Sequence, residues 1–292
     1  MTQLLSNNLV KIAAIFAGLA LLAFGGFYFY QKISSAPDTS LYELTSVKEE
    51  KLIKDELYGR VNVYVAKLYG KGVLSDQCYY VTIGVKDAAT IYCVEIADIR
   101  KVGDLVYVVI TGEKFSDDLS PANGHVDMGV IKFLIFNDRD KDLKLESASP
   151  FEFAGTYGTA NTNIKLVNIS NDGAMTWVTT FGDMHQGYSG GGVELHAALN
   201  NSIKSILTLV TNSDNSGACN DEASCEINTT SASAFLVPDK GKGFYPIQIE
   251  VNQSIRVGKS TKEAKSKYTL NYSDKNFSYL IPKGYQEQFS EF

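Results

Sequence analysis

The chain has 292 residues, of which 45% are hydrophobic and 21% are charged; this composition is typical of folded globular proteins and unlike that of disordered or fibrous ones. Its formal net charge of −6 argues against nucleic acid as a general partner, because contacts with phosphates need a basic face. The length suits one large domain or two small ones.

The N-terminal part contains an apolar segment without a charged residue, residues 12–30. A helix rises about 1.5 Å per residue, so a segment of this length nearly matches the hydrocarbon core of a bilayer, about 30 Å thick. Tyr28 and Tyr30 at its outer end suit the headgroup boundary. The sequence therefore predicts a transmembrane helix at residues 12–31, after a cytoplasmic tail at residues 1–11, with the lipid bilayer as the partner of residues 12–30.

The alternative interpretation of this segment is a cleaved signal peptide. The apolar run exceeds the roughly 7–15 residues usual for such a peptide, and Pro37 follows the best small-residue cleavage site, Ser34-Ser35-Ala36. Both features favour an uncleaved anchor. Beyond the anchor, turn-forming residues and an amphipathic pattern over Leu44–Leu57 predict a linker and a short stalk helix within residues 32–58.

From residue 59 onwards, short β-branched and aromatic runs alternate with clusters of Gly, Asn, Asp and Ser. This spacing predicts an all-β domain over residues 59–292, a sandwich or a partly open barrel with mostly antiparallel strands. A division into two sub-domains near Pro150 is also open. The predicted strands are Val61–Tyr69, Tyr79–Val85, Thr90–Ile96, Leu105–Thr111, Met128–Phe136, Ile164–Ile169, Met175–Phe181, Val193–Ala198, Ile206–Thr211, Phe244–Val251, Tyr268–Tyr272 and Phe277–Ile281.

The four cysteines form two local pairs. Cys219 and Cys225 bracket a polar loop, while Cys78 and Cys93 lie on neighbouring apolar segments that a hairpin would bring together. Neither pair has the spacing of a zinc site, so the sequence predicts two disulfides, with free thiols in a cytosolic protein as the alternative. Disulfides require an oxidising compartment. They therefore favour an orientation with the N-terminus in the cytoplasm and the C-terminus on the other side of the membrane.

The segment Gly187-Tyr-Ser-Gly-Gly fits the G-x-S-x-G pattern, with Ser189 in the place of a nucleophile. A nucleophile elbow needs a strand–turn–helix unit in an α/β sheet, followed by an acid and a histidine later in the chain. The parallel α/β pattern is missing here, and the only later histidine is His196. Glycines that permit a turn with positive φ explain the segment more simply.

The segment Asp138-Arg-Asp-Lys-Asp places Asp138, Asp140 and Asp142 at the alternate spacing of a calcium loop. Leu143 occupies the place where the sharp turn of such a loop wants glycine, and the twelfth position has no bidentate glutamate. A charged hairpin turn between two strands explains the segment without a metal. Calcium is therefore kept only as the weaker alternative, and no metal site is predicted.

The loop Gly182–Tyr188 combines several residue types that are common in binding sites: Asp183, His185, Gln186 and Tyr188. Loops on rigid β scaffolds often carry binding residues, so these four are the predicted site. The alternative is a structural loop whose polar groups satisfy the backbone.

A basic stretch, Arg256–Lys267, favours a lysine-protected edge hairpin over a surface for lipid headgroups or an acidic polymer.

Several segments resemble a group of bacterial envelope proteins: FAGTYGTANTNIKLVNI, GDMHQGYSGG, the loop between Cys219 and Cys225, FYPIQIEV and YTLNYSDKNFSYLIPKGY. The resemblance covers about residues 150–285 and rests on the order and spacing of these segments. It implies a Gram-negative periplasmic domain with an inner-membrane anchor, and it assigns no catalytic residue.

These observations lead to three functional hypotheses. The first is a non-enzymatic, membrane-tethered periplasmic module that binds a protein or an envelope component. The second is an envelope hydrolase that uses Ser189 or the loop around His185, and the third is a periplasmic inhibitor or immunity-type protein. No cofactor is expected, because the sequence has no dinucleotide fingerprint, P-loop or metal-ligand cluster.

Overall fold

The computed structural model describes residues 54–70, 78–84, 89–115, 128–139, 142–155, 158–219, 225–241 and 243–289. All of them belong to one compact unit, Ser40–Phe292. The predicted tail, transmembrane helix and most of the predicted stalk lie outside these residues. Within the described part of the chain, no helix combines the length and the apolar character that a bilayer crossing requires.

The first described element is a helix, α1 (Lys54–Tyr69), so the predicted strand Val61–Tyr69 is wrong. Leu57, Val61 and Val65 recur every four residues and are fully buried on one helix face, where they pack against the sheet. This helical spacing outweighs the β preference of the valines. Gly70, with a φ of +83°, follows the last helical turn in the left-handed conformation common there.

The rest of the described chain is mainly strands, followed by a short helix, α2. Two 3₁₀ turns lie at Ser216–Ala218 and Glu287–Phe289. The strands and α2 are β1 (Tyr79–Ile83), β2 (Thr90–Val102), β3 (Leu105–Lys114), β4 (Gly129–Asn137), β5 (Lys144–Ala148), β6 (Glu152–Ala154), β7 (Lys165–Asn168), β8 (Met175–His185), β9 (Tyr188–Leu199), β10 (Ser202–Asp214), β11 (Glu226–Leu236), β12 (Ile247–Val257), β13 (Ser260–Leu270), β14 (Tyr272–Ser273), β15 (Ser278–Tyr279) and α2 (Lys283–Gln286).

The large sheet consists of two antiparallel halves. Strands β1 to β6 form the first half, and β7 to β13 form the second. Among the described strands, the only pairing between the halves is a parallel contact of β5 with β10, at Ala148 and Ser202. The prediction of a mostly β structure is therefore confirmed.

Packing joins the two halves more strongly than this pairing does. One core cluster contains side chains from both, including Phe133 and Ile135 of β4 together with Met175 and Trp177 of β8. The indole of Trp177 is 1% exposed, and its ring centroid lies 4.8 Å from that of Phe133. Complete burial of a large apolar side chain is worth roughly 1.5–3 kcal/mol. The other two clusters belong to one half each, and the first half also includes α1.

The predicted disulfides and the predicted edge hairpin are present. Cys78 is bonded to Cys93 and Cys219 to Cys225, with Cα–Cα distances of 5.5 and 5.7 Å. Strands β12 and β13 pair along their whole length, and β13, which contains three of the lysines, is the last strand of the sheet. Lysines on an edge strand discourage pairing with another chain.

Candidate functional site

A cavity of about 560 Å³ opens at the junction between the two halves of the sheet. This volume lies within the range of roughly 300–1,000 Å³ that is usual for small-ligand sites. Its walls come from β4 and β6 of the first half and from β8, β9 and β10 of the second. The residues that line it are Met128, Ile131, Glu152, Phe153, Ala154, Gly155, Asn161, Thr179, Thr180, Phe181, Gly182, Asp183, His185, Tyr188, Gly190, Gly191, Glu194, His196 and Val210.

Strand β9 supplies two polar residues to the cavity floor, Glu194 and His196. Successive side chains of a strand point to opposite faces, so these two share one face while Val193 and Leu195 pack into the apolar core on the other. The side chain of His196 is 1% exposed. Its ring packs against Phe133, with 4.6 Å between the ring centroids.

Two carboxylates flank the imidazole of His196. Glu194 on β9 places Oε2 3.4 Å from Nε2, and Glu152 on β6 places Oε2 3.3 Å from Nδ1. The contact at Nδ1 has the distance of a hydrogen bond but not its direction, so Nδ1 is buried without a hydrogen-bond partner. A buried polar atom in this state is costly and is common where a ligand or a water completes the site.

The two carboxylates differ in their protonation behaviour. Burial in the apolar wall raises the pKa of Glu152 above its ordinary value, and the charge of His196 offsets only part of this effect. Burial also works against ionisation of Glu194, but the hydrogen bond and the charge of His196 outweigh it, so the pKa of Glu194 falls to about 2. Thr208 contributes a hydrogen bond of 3.0 Å from its Oγ1 to Oε1 of Glu194. Glu194 is therefore a permanent negative charge at neutral pH.

The hairpin that joins β8 to β9 forms part of the cavity rim. Of the four residues predicted from the sequence as the site, the structure places Asp183, His185 and Tyr188 in the cavity wall. Gln186 is in the tight turn instead: it and Gly187 have φ values of +49° and +84°, as in a type I′ turn. The predicted loop is thus a two-residue turn between long paired strands.

Gly187 also allows a close approach of two chain segments. A Cβ atom added to it would lie 2.1 Å from the backbone of Gly217, so the rim hairpin packs directly on the 3₁₀ turn Ser216–Ala218. This turn immediately precedes the Cys219–Cys225 disulfide. The turn that leads into this disulfide is therefore a neighbour of the cavity rim.

Three large apolar side chains are exposed at the cavity mouth. Phe153 is 61% exposed, Tyr188 43% and Met128 38%, and all three line the cavity. Exposed apolar groups that cluster around a concave site are typical of ligand or partner binding.

The other residues considered from the sequence, Ser189 and the three aspartates, are not placed as a nucleophile elbow or a calcium loop requires. Ser189 is the second residue of β9, within regular antiparallel pairing with Met184 and Asp214, and not at a strand-to-helix turn. Asp138 follows β4 and contacts Arg60 and Lys101. Asp140 lies outside the described residues, and Asp142 lies in the connection between the paired strands β4 and β5. Within the described part of the chain, no group of three or more His, Cys, Asp and Glu side chains is arranged to hold a metal ion.

Sequence reasoning missed Glu152, Glu194 and Phe153 as site residues and considered His196 only as a partner for Ser189. One signal was available: Glu194 and His196 alternate with apolar residues in the segment VELHA, which places two polar side chains on one face of a buried strand. Glu152 comes from a distant part of the chain, and no local pattern marks it.

Comparison with known proteins adds no assignment to this geometry. No protein-family model, no curated protein and no solved structure matches the chain.

Proposed function

We propose that this protein is a membrane-tethered binding module whose β domain holds a small envelope component, or a group on a partner protein, in the cavity between the two halves of its sheet. The observation that carries the proposal is the cavity itself: a volume of about 560 Å³, apolar walls, and a few polar groups that converge on the floor. This combination is the usual form of a ligand site.

Binding explains the site better than hydrolysis does. A hydrolase with Ser189 as nucleophile would need a base that is oriented towards its hydroxyl, whereas Ser189 lies in a continuous strand ladder. The buried His196 contacts Glu152 and Glu194 instead. An imidazole fixed between two carboxylates suits the recognition of a polar group at the closed end of an apolar cavity.

The tether and the compartment are part of the same proposal. The uncharged segment at residues 12–30 has the length of a bilayer span, and two disulfides support an oxidising compartment. We place the anchor in the inner membrane and the β domain in the periplasm.

The contact between β4 and β8 side chains also supports an arrangement in which the two sheet halves face each other as in a sandwich.

The single tryptophan of the chain gives a direct test. Trp177 packs against Phe133, whose ring also contacts His196 of the cavity floor. We expect the neutral probe phenylbutanol, added to the full chain in phosphatidylcholine vesicles, to change the Trp177 emission in a saturable way, with empty vesicles as the blank. Phe153→Ala removes an aromatic contact at the mouth and should weaken binding about three- to tenfold, as expected for roughly 0.5–1.5 kcal/mol.

Phe277→Ala is the matched control, because Phe277 is 49% exposed and is not one of the residues that line the cavity. It should leave the affinity unchanged. A wild-type protein whose emission never saturates, or an equal loss of affinity in both variants, would contradict binding in the cavity.

A further inference from the structure

The charged groups in the cavity wall have an excess of one sign. Glu152, Asp183 and Glu194 supply three carboxylates, and His185 and His196 supply two imidazoles. Neither lysine nor arginine occurs among the described residues that line the cavity. When the carboxylates are ionised, the wall keeps a net negative charge even if both imidazoles are protonated.

The lysine of β4, Lys132, does not point towards the carboxylates of the cavity wall. Ile131 lines the cavity, so the next residue, Lys132, points to the other face of the sheet. Its ammonium group lies 5.0 Å from the ring centroid of Phe151, a residue that packs with the core cluster of the first half. The protein therefore provides no cation of its own on the cavity side of this strand.

Glu152 meets His196 in an incomplete contact. Its Oε2 lies 3.3 Å from Nδ1 of His196, but the contact lacks hydrogen-bond geometry. A carboxylate beside apolar walls is costly unless a cation or a donor neutralises it. The orphaned Nδ1 and the carboxylate beside it mark the place where a ligand group would complete the site.

We propose that the cavity takes an organic cation: an ammonium-type group that contacts the carboxylates of Glu152 and Glu194 beside His196, with an apolar body against Phe153 and Tyr188 at the mouth. This inference rests on the proposed binding function and names its ligand class. An organic cation fits better than a metal ion, because the acidic groups of the wall are not arranged as a set of metal ligands among the described residues.

Three probes that share an apolar part and differ in the charge of the head group test the proposal. Phenylbutylamine, phenylbutanol and phenylbutyrate share their apolar part and carry a positive, a neutral and a negative head. We expect the amine to bind the full chain in phosphatidylcholine vesicles about tenfold more tightly than the alcohol, the gain typical of one charge-assisted contact. The carboxylate should bind most weakly. Trp177 emission and titration calorimetry give the affinities.

Two variants test whether the carboxylates of the cavity floor cause the preference for the amine. Glu152→Gln keeps the contact between Glu194 and His196 and should lower the affinity for the amine about tenfold, a larger loss than the one it causes for the alcohol. Glu194→Gln should act in the same direction. The control is Glu250→Gln, which removes an exposed carboxylate on β12 that is paired with Lys267 and should have no effect on either probe.

The outcomes separate this inference from the proposed function. Equal affinities for all three probes, or a loss with Glu250→Gln as large as that with Glu152→Gln, would overturn the preference for a cation and leave cavity binding intact. A preference for the carboxylate would overturn it as well. If none of the three probes binds, both proposals are wrong.

Discussion

Asp138 shows how a single residue can connect three elements. It directly follows β4, and its side chain is 2% exposed. The guanidinium of Arg60 from α1 donates to it, with 3.0 Å between Nη2 and Oδ2, and Nζ of Lys101 from β2 lies 2.8 Å from Oδ2. These contacts, the hydrogen bond from Arg60 first, lower the pKa of Asp138 to about 2. Asp138, one of the residues considered for calcium, thus links the helix to the sheet.

We expect Asp138→Asn to lower the free energy of unfolding by roughly 1–3 kcal/mol, because Arg60 and Lys101 lose the charge that both contact. The folded-state pKa lies below the unfolded value of about 3.9, so this stabilisation is complete above about pH 5 and disappears as the pH falls towards 2. Urea unfolding of wild type and variant between pH 7 and 3 measures the difference.

The control for this prediction is Asp104→Asn. Asp104 pairs with Arg139, and the two side chains are 58% and 74% exposed, so the change should cost less than about 0.5 kcal/mol. A difference between Asp138→Asn and wild type that stays constant down to pH 3 would contradict the role given to the Asp138 carboxylate.

At the scale of elements, the Cys219–Cys225 disulfide stands beside the rim hairpin of the cavity. Asn215 fixes the preceding turn to β11: its Oδ1 accepts a hydrogen bond from the backbone N–H of Asn228 at 2.7 Å, and its Nδ2 donates to the backbone carbonyl of Glu226 at 3.1 Å. The 3₁₀ turn Ser216–Ala218 also contacts Gly187 of the hairpin. Covalent closure and these polar bonds replace the apolar burial that this exposed segment lacks.

We expect the double variant Cys219→Ser, Cys225→Ser to lower the melting temperature by several degrees. The chain-entropy model gives roughly 2 kcal/mol for so short a closed loop, and a domain of this size changes by about 2–4 °C per kcal/mol. Calorimetry on the full chain measures the shift, and intact mass on reduction counts the bridges. An unchanged melting temperature would show that the bonds of Asn215 suffice.

Periodicity predicted most strands of this chain, because half-buried strands carry β-branched and aromatic residues at alternate positions. It failed at α1, whose valines favour a strand although their four-residue spacing is helical. It also failed at β11, where Ala232 and Ala234 are buried among serines and threonines that resemble a loop. The site was only half predictable: its rim is one local hairpin, but its floor joins Glu152 to Glu194 through long-range packing.

At the scale of the whole molecule, the cavity is a consequence of how the two sheet halves join. Among the described residues, they share one strand contact and one core cluster that contains Phe133 and Trp177. Beside that cluster, polar residues of β6 and β9 line the cavity. Sites between packed units are common because the two sides supply different chemistry. Here one side contributes Phe153 and Glu152, and the other contributes the hairpin and His196.

The orientation of the chain in the membrane is the last prediction. Both cysteine pairs are oxidised in the structure, with no free cysteine among the described residues, and stable disulfides belong to an extracytoplasmic compartment. We therefore expect alkaline phosphatase fused after Phe292 to be active in a Gram-negative host, since this enzyme needs its own disulfides, and green fluorescent protein at the same position to be dark.

Deletion of residues 12–30 is the control for this topology. Without the apolar segment the fusion should stay in the cytoplasm, so the phosphatase should become inactive and the green fluorescent protein bright. Fractionation should find the intact chain with the inner membrane, and resistant to carbonate extraction, because a segment of this length is held by its apolar area. An inactive phosphatase together with a bright fluorescent protein on the intact chain would reverse the orientation, and with it the periplasmic setting of the cavity.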